Sequence, residues 1–134
     1  MASILRVNTL TDASSNNSIA MSTVFNGSVK AWFRVNGTGT PAFTNNFNGS
    51  SVTDNGTGDY TVTITNNMSD ANYVSATEVG GGTTSDSAER SISGQDGSTA
   101  RTSSSYRFRH VYHGSTAVKY DDQYNNILHI GDLA

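Results

Sequence analysis

The chain has 134 residues, a formal net charge of −3 and 14% charged side chains, which sets the expectation of one domain and argues against a surface that neutralises a run of nucleic-acid phosphates. Cysteine is absent, which excludes disulfides and thiolate metal sites, and the single proline leaves most amides free to join a ladder. Leu, Ile, Val and Phe make up only about a fifth of the residues, while the low net charge argues against disorder, so a thin β-fold completed by neighbouring subunits is expected.

Residues 1–20 read as two extended pieces, 4–10 and 18–23, around the polar turn Asp12-Ala13-Ser14-Ser15-Asn16-Asn17. An isolated ribbon is unstable in water. It is therefore either an attachment arm, ordered against another protein or a subunit axis through Ile4, Leu5, Val7, Leu10 and Ile19, or the first hairpin of the domain that occupies 21–134. The two readings stay open on the residues alone; the family resemblance given below favours the arm. Arg6 and Asn8 interrupt the apolar run that a signal peptide needs, and no segment has the length of a membrane span. Synthesis in the cytoplasm without membrane insertion is the expectation.

From residue 29 an alternation begins, with Val29, Ala31, Phe33 and Val35 on one face and Lys30, Trp32 and Arg34 on the other. Trp32, a large indole on the charged face, reads as a subunit or intersheet contact or as a stacking platform for a ligand. Phe43 and Phe47 flank a polar triplet. Residues 52–65 then carry the clearest signal in the chain. Asn55-Gly56 and Gly58 tolerate positive φ, and Tyr60, Val62 and Ile64 alternate with Thr61, Thr63 and Thr65, which predicts a half-buried strand leaving a tight turn.

Another strand is expected around 72–79 and a weaker one at 88–93. The Gly-rich loops 80–86 and 94–99, with Gly81, Asp86 and Gln95, are the leading candidates for contact with a partner, because binding residues concentrate on loops held by a rigid scaffold. Alternation returns with Tyr106, Phe108, His110 and Tyr112 against Arg107, Arg109, Val111 and His113. A hairpin turn at 113–116, a return strand at 117–120, a turn at Asp121-Asp122 and a last strand at 124–130 complete the chain. No helix of three turns is predicted. Short strands separated by Gly and Asn turns give an all-β fold, a small antiparallel β-sandwich or jelly-roll-like domain.

No constellation for catalysis stands out, and no cofactor is expected. Asp54 and Asp59 flank a loop that lacks the terminal Glu and the helices of an EF-hand, so a plain turn is the expectation. His110, His113 and His129 read as packing or surface histidines; the alternative is one histidine on a three-fold axis holding a metal. Glu78, Glu89 and Asp121-Asp122 lie in turn-rich sequence rather than as a spaced carboxylate pair. Arg107 and Arg109, with Lys119, form either a basic stripe for acidic glycans or a neighbouring protein, or a solvated face or a salt bridge between the subunits of a trimer.

Several segments resemble one family. Asn36-Gly37-Thr38-Gly39-Thr40, then Phe47-Asn48-Gly49-Ser50-Ser51-Val52-Thr53-Asp54-Asn55-Gly56-Thr57-Gly58-Asp59-Tyr60-Thr61-Val62, then Met68-Ser69-Asp70-Ala71-Asn72-Tyr73 are similar to the small β-domain of tail-fibre and related surface proteins of bacteriophages, notably marine ones. The opening Ile4-Leu5-Arg6-Val7-Asn8-Thr9-Leu10 fits as well, and the likeness thins beyond about Tyr73. The resemblance implies a non-enzymatic virion component that is usually a homotrimer, partnered by other virion proteins of the tail or by the major capsid protein. It leaves open a tail-fibre-like protein that contacts a host-surface glycan, a decoration protein on the head, and a carbohydrate-binding module that uses Trp32, tyrosines and Asn side chains.

Overall fold

The computed structural model describes residues 6–15, 17–80, 89–94, 101–113 and 117–134. It begins with a two-stranded antiparallel ribbon, β1 (Thr9–Thr11) and β2 (Ser18–Ala20), in which Leu10 stands opposite Ile19. The extended conformation stops at Ala20, not at residue 23, because Met21–Gly27 form a short helix, α1. Met21, Val24 and Phe25 stand at i, i+3 and i+4, a helical spacing too brief to stand out in the sequence. Lys30 closes the helix: its ammonium donates to the Phe25 carbonyl and to Ser28 Oγ at 2.7 Å, and lies 3.8 Å from the centroid of the Phe25 ring.

The remaining strands form two packed sheets. The first holds β3 (Val29–Asn36), β4 (Ala42–Phe47), β7 (Val74–Gly80) and β11 (Tyr124–Ile130), all antiparallel in the order β4-β3-β11-β7. The second holds β5 (Gly49–Asp54), β6 (Asp59–Ile64), β8 (Glu89–Gly94), β9 (Ser105–His113) and β10 (Ala117–Lys119). There β9 is central. β8 runs along one of its edges, β6 and then β10 along the other, and β5 pairs with the outer edge of β6. The expected small all-β sandwich is the fold observed.

The core lies between the sheets and follows the period-2 pattern. Ala31, Phe33 and Val35 of β3 and Ile127 of β11 face Tyr60, Val62 and Ile64 of β6 and Tyr106 and Phe108 of β9, and all are buried. Each fully buried side chain of the size of Val or Phe contributes roughly 1.5–3 kcal/mol. The alternation fails at the start of β3, where the register shifts opposite His129 and Ile130. At this bulge Val29 is exposed, and Lys30, expected beside Trp32 on the outer face, is 5% exposed, its ammonium held by Phe25 and Ser28.

Two corners rest on backbone geometry. In the β5–β6 turn, Gly56 and Gly58 adopt φ of 115° and 60°, as the Asn-Gly signal predicts, and Asp54 Oδ1 accepts the Gly56 amide at 2.8 Å. Between β4 and β5 the chain passes from one sheet to the other at Asn48, which has φ of 64°. Its side-chain amide donates to the carbonyls of Lys30 and Asn66, each at 3.0 Å, while its Oδ1 accepts the Asn66 amide at 2.7 Å.

Candidate interaction site

The four-stranded sheet leaves one face in solvent, and the register decides what stands there. Trp32 pairs with Phe47 of β4 and Leu128 of β11, and Leu128 pairs with Ala76 of β7, so Phe47, Trp32, Leu128 and Ala76 form one row across four strands. Trp32 is 37% exposed, Phe47 53%, and Val74, in the neighbouring row, 64%. The adjacent row is polar: Asn45, Arg34, Asn126 and Glu78. Within it Asn126 Nδ2 donates to Glu78 Oε2 at 3.2 Å, and the Arg34 guanidinium lies 4.5 Å from the centroid of the Tyr124 ring.

Where the two rows meet, the small side chain of Ala76 leaves a groove of about 250 Å³, lined by Trp32, Ala76, Glu78, Asn126 and Leu128 with the intervening Phe33, Thr77 and Ile127. Trp32 is thus one sequence candidate that the structure places at a concave surface, as it does Leu10 and Ile19 of the ribbon. Its neighbours Ala76, Glu78, Asn126 and Leu128 carried no such signal. The run Ile127-Leu128-His129-Ile130 is apolar at nearly every position, so only the sheet register separates its inner from its outer residues.

Arg107 and Arg109 stand together on the outer face of the other sheet, where both serve Asp59. Arg107 Nε and one of its terminal nitrogens reach the two Asp59 oxygens at 2.7 and 3.0 Å, Arg109 Nε reaches one at 3.1 Å, and Lys119 Nζ reaches it at 2.8 Å. Asp59 is 1% exposed. Desolvation pushes its carboxyl upward, but the bonds from Arg107, Lys119 and Arg109 outweigh that and hold it well below the usual carboxylate range. The cations are thus paired within the chain, with a carboxylate that the sequence places in a turn, rather than with another subunit.

The other acidic residues are likewise engaged in structure. Asp54 caps the β5–β6 turn, so the two carboxylates of that loop point to different partners rather than to one ion. The Asp121-Asp122 turn is not the solvated pair that adjacent aspartates usually make. Asp121 Oδ1 accepts the Gly58 amide and the Tyr60 hydroxyl, while the buried Asp122 pairs with Arg90 and accepts the Gln123 amide at 2.6 Å. Both carboxylates are drawn in because the turn closes against the end of the sandwich, where the Gly37 amide donates to the Asp122 carbonyl.

His110 and His129 are sealed inside the protomer and cannot meet symmetry mates on an axis. Burial lowers the His110 pKa, with the Asp122 charge opposing it; neither ring nitrogen has a hydrogen-bond partner among the described residues, and Asp122 Oδ2 lies 3.8 Å from Nε2. His129 sits among the rings of Phe33, Tyr73 and Tyr106, with centroids 4.7–5.3 Å away, and its Nδ1 is 2.9 Å from Ser75 Oγ. Burial, reinforced by the positive charge of Arg101, pushes it down to about 4.

Of the arm candidates, Val7, Leu10 and Ile19 are exposed, as is Phe25 of α1. Among the described residues β1 and β2 pair only with each other, and α1 buries none of its residues. Ile4, Leu5, Gly81, Asp86 and Gln95 lie outside the described residues, as do the loops 81–88 and 95–100. Among the described residues no helix is long and apolar enough to cross a membrane. No family model matches the sequence, and no curated protein and no solved structure is similar to it.

Proposed function

We propose that this chain is a non-catalytic surface component of a tailed-phage virion, a homotrimer that resembles a tail fibre, is mounted through its N-terminal segment and contacts the host through the sandwich. One observation carries the proposal: Leu10 and Ile19 on the ribbon, Phe25 on the helix and Val7 just before them are exposed. Apolar side chains displayed on so small an element favour a partner that covers them, since a two-stranded ribbon has no stability to spare alone. The sequence resemblance supports the virion setting, and the scarcity of large aliphatic side chains supports association.

The test is a deletion of residues 1–20. The truncated protein is expected to stay folded and β-rich, to sediment at three times its chain mass as the 14.2 kDa full chain does, and to lose copurification with particles. Normal incorporation of the truncated chain, or a monomeric full-length chain at micromolar concentration, would refute the assignment. A copy number that matches the capsid lattice rather than the tail would make the protein a head decoration.

A further inference from the structure

We infer that the groove on the outer face of the four-stranded sheet binds one neutral hexopyranose ring of a surface polysaccharide, stacked on Trp32 and hydrogen-bonded by Glu78 and Asn126. The inference deepens the host-contact part of the proposed function and rests on it. Size is the first argument. About 250 Å³ lies just below the roughly 300–1,000 Å³ of sites for drug-sized ligands, which suits a single ring.

Chemistry is the second. A pyranose has one face of C–H groups and an equatorial rim of hydroxyls, and the groove offers the counterpart of each. The partly exposed indole of Trp32 and the side chains of Leu128 and Ala76 give an apolar floor and wall. Glu78 and Asn126 line the opposite side, oriented by their mutual bond. That bond uses one carboxylate oxygen and an amide hydrogen, so the second oxygen of Glu78 and the Asn126 carbonyl are placed to accept from hydroxyls. The Glu78 charge strengthens such bonds and repels uronic or sulfated sugars. Arg34, the nearest cation in the row, is drawn over Tyr124 and does not line the groove.

Trp32 is the sole tryptophan, so its fluorescence reports on this groove alone. The full chain is titrated with methyl hexopyranosides of gluco, galacto and manno configuration, with their N-acetylamino counterparts, with methyl uronides and with choline. At least one neutral glycoside is expected to give a saturable change, and the uronides none. Glu78→Gln should weaken binding about tenfold, and Ala76→Phe, which fills the groove from an exposed position, should abolish it while melting and sedimentation stay unchanged. No saturable response to any neutral glycoside, a response that survives Ala76→Phe, or a stronger response to choline would each overturn the proposal. Emission that shifts to the blue with protein concentration would also overturn it, by making this face the subunit contact, and would leave the trimer standing. Sugar binding by a monomeric chain would uphold the groove and remove the trimer.

Discussion

Replacing Asp59 with Asn tests whether the arginines of β9 serve the fold. The carboxylate receives four nitrogen contacts between 2.7 and 3.1 Å from Arg107, Arg109 and Lys119, and its side chain is 2% exposed. Removing one partner of a buried ion pair costs about 3–5 kcal/mol, because the charges left behind keep their desolvation penalty. Lys119 is 42% exposed, so solvent screens its share, and Asn keeps the shape and one acceptor, which places the expected loss at the low end, about 3 kcal/mol. With a urea dependence of about 2 kcal/mol per molar, the unfolding midpoint should fall by about 1.5 M at equal protomer concentration. Because folding depresses the Asp59 pKa below its ordinary 3.8, the stabilisation is complete above that pH and is lost as pH falls through the folded value. The gap between wild type and variant should therefore be constant from pH 5 to 8 and close only in strong acid. A variant that unfolds within about 0.5 kcal/mol of wild type at pH 7 would show that the cations are solvated rather than held by Asp59.

Substitutions at two further positions probe the interior and the corner between the sheets. His129 is pushed down to about 4 from an ordinary 6.5, so protonation favours the unfolded chain; stability should be level above pH 6.5 and fall by about 3 kcal/mol toward pH 4, with His110 adding a slope of the same sign. His129→Leu should reduce that slope in urea midpoints measured across the range, and an unchanged slope would locate the acid sensitivity elsewhere. Asn48→Ala removes the bonds to Lys30 and Asn66 and places Ala at φ of 64°, an expected loss of about 3 kcal/mol. Asn48→Gly should recover about 1 kcal/mol of it by relieving the backbone, and a Gly variant no more stable than Ala would show that the left-handed geometry carries no cost.

By itself the sequence determined the fold class, most strand positions and the β5–β6 turn, because alternation and positive-φ residues act over a few neighbours. The strand at 124–130 and the inward set Tyr106, Phe108 and His110 follow from period 2 alone. The helix after Ala20 escaped because three residues at helical spacing are too few to outweigh the extended pattern around them. Lys30 escaped because a bulge is a property of two paired strands, not of one. The destinations of the charges were decided only by tertiary structure. Arg107 and Arg109 read as a basic stripe until β6 brings Asp59 against them, and Asp122 reads as solvated until the turn closes on Arg90. The groove is of the same kind: Trp32, Ala76, Glu78, Asn126 and Leu128 come from three strands, and their adjacency exists only once the register of those strands is set by burial of the opposite face.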